Sequence, residues 1–233
     1  MVDFDLTEEQ RLLQKTARDF AQREMRPVAL EYDKKGEVPW DIIKKAHALG
    51  LDTAFIPEPY GGGGIDSTLT HVIVMEELNW GCAGMATGLI GAGLAYLPII
   101  HMGTEDQKKR FLTRFTGPEA RLGALCLTEP DAGSDVANIS TTAVKKGDKW
   151  VLNGVKRFIT NGGIADLHVV FATLDKSLGY FGIRAFVVEH GTPGLTMGKV
   201  EDKMGVRASH TAEVLLDDCL TPDAVQVCNS AQE

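Results

Sequence analysis

Between Trp80 and Thr104 the chain carries no formal charge. So long an apolar stretch has two homes, a bilayer or a protein core. Gly81, Gly84, Gly88, Gly91 and Gly93 dilute its hydrophobicity, Pro98 interrupts it, and no basic flank fixes an orientation across a membrane. The stretch therefore reads as a buried helix whose small residues let neighbours pack closely. A chain of 233 residues with 44% hydrophobic and 24% charged content can bury such a helix in one domain or in two modest ones.

Around that helix the pattern divides in two. Thr7 to Gln10 form a capping box, in which the Thr hydroxyl accepts from the third N–H and Gln10 reaches back. A helix follows with Leu12, Leu13, Thr16, Ala17, Phe20 and Ala21 on one face, and Arg26-Pro27 marks its stop or kink. A second helix fits Pro39 to Leu49, closed by Gly50. Asp66 or Ser67 caps a third, running to about Asn79 with Ile73, Val74, Leu78 and Trp80 toward the core. Thr104 to Gln107 repeat the capping box and begin a short basic helix through Phe115, which Gly117-Pro118 close. Gly61 to Gly64 lack the Lys-Ser/Thr pair of a phosphate cradle and read as a plain loop.

From Arg121 the character becomes β. Ile139–Val144, Trp150–Val155, Leu167–Thr173, Arg184–Glu189 and Ala212–Leu216 are rich in Val, Ile, Thr and aromatics, and Lys146 to Lys149 make a hairpin turn. Short strands without intervening helices exclude a Rossmann unit. The expected architecture is α+β and multidomain: an N-terminal α-helical domain over residues 1–118, then a small antiparallel β-barrel or sandwich domain over 119–233, with Pro222 to Glu233 as a trailing end.

A net charge of −8 and a pI near 5.3 argue against a nucleic-acid binder, which needs a basic face. Cys82, Cys126, Cys219 and Cys228 show neither a CxxC pair nor a nearby His, so thiols in a reducing compartment are expected, without a metal site. The acidic, amphipathic N-terminus is not a secretory signal, which places the expected location in the cytoplasm or an organelle matrix.

Two stretches carry chemistry. Leu125 to Asp135, LCLTEPDAGSD, starts as an apolar strand and turns through Pro130 and Gly133 into Ser134 and Asp135. A strand end opening into such a loop leaves backbone N–H groups without ladder partners, free to meet a flat or anionic ligand. Phe158 to Gly163, FITNGG, repeats the grammar with an aromatic, a Thr hydroxyl and Asn-Gly punctuation. Two such edges can line one slot. Read alone, the first loop is equally a tight turn whose Asp and Ser satisfy their own backbone.

With KMGVRASHTAEVLLDDC further on, these motifs resemble the flavin-dependent acyl-CoA dehydrogenase family, over about Leu6 to Pro222. The resemblance implies FAD as cofactor and α,β-dehydrogenation of an acyl-CoA thioester, a β-oxidation step, with electron-transfer flavoprotein or a similar acceptor as partner. Leu125, Cys126, Leu127 and Thr128 then line the flavin, and Ser134 sits where cofactor and pantetheine meet. Phe158 covers one flavin face, Ile159 follows it, and the Thr160 hydroxyl approaches the redox nitrogen. Many relatives carry Trp in place of Phe158, Gly in place of Asp131 and a small residue in place of Asn138; Phe still stacks but lacks the indole donor.

In that family the catalytic carboxylate comes from a C-terminal helical domain, and no residue here corresponds to it. Glu76 and Glu77 read as a solvated helix face and Glu129 as part of the loop motif, so none is assigned as base. Arg207 is expected to steady the fold rather than hold phosphate, and His101 and His210 to serve surface or capping roles. Three expectations follow for the chain itself. It is a weakly active or inactive portion of a dehydrogenase, part of a split enzyme whose helical domain comes from another polypeptide, or a non-catalytic acyl-CoA or flavin-fold binding and assembly module, with a homo-oligomer or a complementary helical chain as the expected assembly.

Overall fold

A computed structural model describes residues 5–222 together with 224–225. The first helix, α1 (Glu8–Phe20), begins at the expected capping box: the Thr7 hydroxyl accepts from Gln10 N–H and the Gln10 side chain accepts from Thr7 N–H, both at 3.1 Å. Its apolar face ends in a wider π turn over Ala21–Met25, after which the chain bends and forms α2 (Ala29–Lys35), an element without a strong sequence signal. Next comes α3 (Trp40–Ala48), with Ile42, Ile43 and Ala46 buried.

The uncharged stretch lies in α4 (Thr68–Met102), capped by the Ser67 hydroxyl on Thr70 N–H. At Cys82 the backbone is extended (φ −165°, ψ 113°), so α4 is two helices, 68–81 and 83–102, meeting at a kink. Val74, Leu78, Met85, Ala86, Leu89, Tyr96 and Ile99 are buried, which fits the reading of a core helix. Two expectations on its first half are corrected. Trp80 faces outward under the guanidinium groups of Arg18 and Arg26, 4.1 and 4.8 Å from its ring centroid. Glu77 is buried, paired with Arg18 and accepting from Gln14 at 3.0 Å, so only Glu76 is on a solvated face. The last helix, α5 (Glu105–Phe115), again starts at a complete capping box, Thr104 with Gln107.

Among the described residues eight strands follow: β1 (Gly123–Cys126), β2 (Thr142–Lys146), β3 (Lys149–Thr160), β4 (Leu167–Thr173), β5 (Ile183–Glu189), β6 (Leu195–Val200), β7 (Thr211–Thr221) and β8 (Ala224–Val225). The sheet runs β6-β7-β3-β2-β4-β5-β8, with β1 also against β4. Hairpin β2–β3 turns at Gly147-Asp148 as expected. The helices-then-strands architecture holds, but the sheet is mixed: β1 and β2 both run parallel to β4. Parallel entry requires a crossover, and the Thr128–Thr141 segment that carries the first motif connects β1 to β2, both of which pair with β4.

Helices and sheet share one core. Met25, Ile43, Leu78 and Leu89 pack in the same cluster as Leu122, Cys126, Leu152, Phe186 and Val214. The approach is tight where α4 passes the end of β3: a Cβ on Gly91 would lie 2.7 Å from the Thr160 methyl and 2.8 Å from Asn161 Nδ2. Glycine there brings the helix against the strand end that carries the second motif.

Candidate functional site

Residues 29 apart in sequence, Thr128 and Arg157, meet near the end of β3. The N–H of Arg157 donates to the Thr128 carbonyl at 2.8 Å, so the TEP loop and the FIT strand end are fastened side by side. At this point β3 carries an extra residue against β7, since Lys156 lies opposite Val214 but Ile159 opposite Ala212. The bulge turns Phe158 outward with φ 56° and leaves it 60% exposed. A left-handed conformation at a bulky aromatic is strained, and such strain persists where surroundings impose it. Arg157, hydrogen bonded to Glu213 at 3.0 Å, lies 5.6 Å from the Phe158 ring centroid.

The two motifs also carry groups that the protein leaves available. Among the described residues, the N–H and hydroxyl of Thr128 and the hydroxyls of Ser134 and Thr160 have no hydrogen-bond partner. Ser134 is exposed just past a tight turn in which Glu129 N–H donates to Ala132 O at 2.9 Å. Leu125 and Leu127 are partly buried. Cys126 and Ile159, by contrast, point into the core, so only their backbones can meet a ligand. Burial pushes the Cys126 thiol up to about 12, which keeps it protonated.

The ledge rests on two buried polar supports. Asn161, with φ 59° and essentially no exposure, donates through Nδ2 to Gly88 O at 3.1 Å and Gly123 O at 3.2 Å, joining α4, β1 and the end of β3. Below the following turn, Gly163 N–H donates to His168 Nε2 at 3.0 Å. Burial and nearby His190 drive the His168 pKa down to about 4, so the ring is neutral and accepts there. The sequence marks Asn161 only as turn punctuation and gives no sign of His168, which sits inside an apolar strand.

Beneath Thr128 a third support crosses between the motifs. Lys156, wholly buried, donates to Leu127 O at 3.1 Å and Glu129 Oε1 at 2.7 Å. Glu129 also accepts from Ser140 N–H at 2.6 Å, Ser140 Oγ at 2.7 Å and Thr141 N–H at 2.9 Å. Burial alone would raise its pKa, but hydrogen bonds from Lys156, Thr141 and Ser140 outweigh it and hold the carboxyl at about 2.

Other residues singled out from sequence lie elsewhere. Arg207 binds Asp33 through its backbone N–H (2.8 Å) and its side chain (3.0 Å to the carbonyl), and also Asp202, tying the MGVR loop beside α2 as expected of a structural residue. His210 Nε2 contacts Gly162 O at 3.0 Å, and His101 is exposed on α4. Cys228 lies outside the described residues.

The family profile for the acyl-CoA dehydrogenase N-terminal domain matches residues 7–119, and that for the middle domain residues 124–219. The human mitochondrial short-chain specific acyl-CoA dehydrogenase is 43% identical over 219 residues, 94% of this chain and 53% of that protein. Cyclohex-1-ene-1-carbonyl-CoA dehydrogenase of Geobacter metallireducens is 46% identical over 93% of this chain and 57% of its own length. In three dimensions, butyryl-CoA dehydrogenase from Megasphaera elsdenii superposes with a TM-score of 0.91 at 40% identity, over 99% of this chain and 61% of that one. The chain thus spans a little over half the length of the curated relatives it matches. Two adjoining profiles of one family, matched in order over nearly the whole sequence, place the chain in the acyl-CoA dehydrogenase family.

Proposed function

We propose that this chain forms the flavin-facing part of an FAD-dependent dehydrogenase that oxidises acyl-CoA thioesters between their α and β carbons. The observation that carries the reading is the Arg157–Thr128 backbone bond, which sets available donors beside an exposed aromatic face. A tricyclic ring with acceptors along one edge needs N–H and hydroxyl donors and an apolar wall. The ledge supplies both: Thr128 and Thr160 as donors, Phe158 as wall, and Leu125, Leu127 and the Cys126 and Ile159 backbones around them. Ser134 serves the thioester arm. FAD, when bound, supplies the acceptor for the β-hydride.

The α-proton needs a carboxylate whose pKa is near the working pH. Glu129 does not qualify, because Lys156 and the Ser140–Thr141 segment hold it ionised and fully hydrogen bonded. Glu77 is committed to Arg18 and Gln14. We therefore place the base outside these 233 residues. The substrate is an acyl-CoA, and the reduced site passes its electrons to an electron-transferring flavoprotein or similar carrier.

The test joins residues 1–219 to the remaining length of the human short-chain relative and measures the flavin spectrum. The expected product is yellow, with bands that shift on binding butyryl-CoA. A chimera with native-like circular dichroism that binds no FAD would refute the proposal.

A further inference from the structure

The buried Lys156–Glu129 pair joins the two motif segments, and its bonds run to the loop rather than to the surrounding core. Both of the acceptors facing Lys156 Nζ, Leu127 O and Glu129 Oε1, flank Thr128. One residue on, Arg157 N–H takes the Thr128 carbonyl, and the next residue is the strained Phe158. Three consecutive loop residues are thus held through their acceptors by two consecutive residues of β3, while the Thr128 N–H and hydroxyl take no part in the hold.

Glu129 extends this hold in both directions. Its backbone closes the turn with Ala132 that leads to Ser134, at 2.9 Å through its own N–H. Both carboxylate oxygens are occupied, Oε2 by Ser140 and Oε1 by Thr141 and Lys156, so the start and the end of the loop share one anchor. Removing two charges from water costs several kcal/mol per ion, and an apolar pair of similar volume can be as stable. Stability alone therefore does not call for a lysine here. What an apolar pair cannot do is fix the Leu127 carbonyl and Glu129 relative to β3 by directed bonds.

We propose that Lys156 and Glu129 are positioning residues that set the spacing between the Thr128 donors and the Phe158 ring, and so the affinity and spectrum of the bound flavin. This rests on the flavin reading above. The bond from Arg157 N–H to Thr128 O is the part of that spacing the fold itself displays, and it reports the pair's action without any ligand.

The experiment pairs a single and a double substitution. Lys156→Met leaves the Glu129 carboxylate buried without its cation and lowers the melting temperature strongly. The double variant Lys156→Met with Glu129→Leu removes both charges, and is expected to melt above the single variant but below the parent, because the Thr141 N–H and the Leu127 carbonyl lose their partners. In the cofactor-free chain, amide exchange at Arg157 is expected to be at least about tenfold faster in the double variant than in the parent. In the chimera above, the double variant is expected to bind FAD at least about tenfold more weakly, with altered visible circular dichroism of the flavin. Lys156→Arg, which keeps a buried cation, is expected to restore part of that affinity. Parent-like exchange at Arg157, or parent-like FAD affinity and spectrum, in a folded double variant would overturn the proposal. Faster Arg157 exchange alongside a parent chimera that takes up no FAD at all would count against the flavin reading instead, and leave the spacing role supported.

Discussion

The glycine-containing loops at Gly61–Gly64 and at Thr128–Asp135 treat their backbone donors differently. In the loop at Gly61–Gly64 the N–H groups turn inward: Gly63 donates to Thr53 O at 3.3 Å, Gly64 to Ile56 O at 2.9 Å and Ile65 to Ala54 O at 3.0 Å. In the loop from Thr128 to Asp135, the N–H groups of Thr128, Gly133 and Ser134 have no partner among the described residues. The packing follows the same division. A Cβ on Gly62 would sit 2.0 Å from the Ile56 carbonyl oxygen, whereas one on Gly133 would meet nothing within 4 Å. Glycine content alone therefore does not tell whether a loop's donors are spent inside the fold or left over.

The sharpest way to break this contrast is to add a methyl group to each loop. Gly62→Ala places a carbon against backbone that cannot swing away, and is expected to cost about 3 kcal/mol, the upper end for an overpacked site. Gly133→Ala enters open space and is expected to stay within about 0.5 kcal/mol of the parent. Urea denaturation of the two variants measures both. Equal losses would show that the two loops are packed alike.

A second effect separates the rigid base of the ledge from its open face. His168 is fully buried beneath Gly163, with a folded pKa of about 4 against an ordinary 6.5. Its pKa is depressed, so between those values the unfolded chain binds more protons and stability falls as the pH is lowered. The full effect is up to about 3 kcal/mol from pH 6.5 down to 4. His47 acts in a different window. Burial pulls its pKa down, but the Gly117 carbonyl at 2.7 Å and Asp52 at 2.8 Å outweigh that and raise it, so what it contributes is present below pH 6.5 and lost above. Replacing His168 by Gln is expected to flatten the slope of stability between pH 4 and 6.5. An unchanged slope would mean that His168 does not titrate as a buried group.

What the sequence made legible follows the same line between local and distant interactions. Both capping boxes, the Gly147-Asp148 turn, the strand at Leu167–Thr173 and the convergence of the two motifs come from residues within a few positions of each other or from motif resemblance. The parallel pairing of β1 with β4 did not, because β1 is four residues long and its partner lies over forty positions away. Glu77 looked solvated because Arg18, its partner, stands on another helix, and Trp80 looked buried because two arginines that cover it cannot be inferred from spacing. Lys156 reads as one more charge on a strand. Only the fold shows that it faces inward, onto a glutamate 27 residues earlier.

The smallest expected change in stability tests whether the strain at Phe158 belongs to ligand binding or to folding. A bulky residue held at φ 56° costs about 1–2 kcal/mol, which glycine avoids. Glycine in turn loses about 0.5–1 kcal/mol of backbone entropy. The ring adds little packing in return, since it is 60% exposed. Phe158→Gly is therefore expected to remain within about 0.5 kcal/mol of the parent in denaturant, while FAD affinity in the chimera falls about tenfold, in keeping with the roughly 0.5–1.5 kcal/mol of an aromatic stack. If Phe158→Gly unfolds the chain, the ring is part of the core and the ledge is not built for a ligand. If stability and FAD affinity both hold, the aromatic wall lies elsewhere, and the contrast between the packed loop and the open one loses its functional meaning.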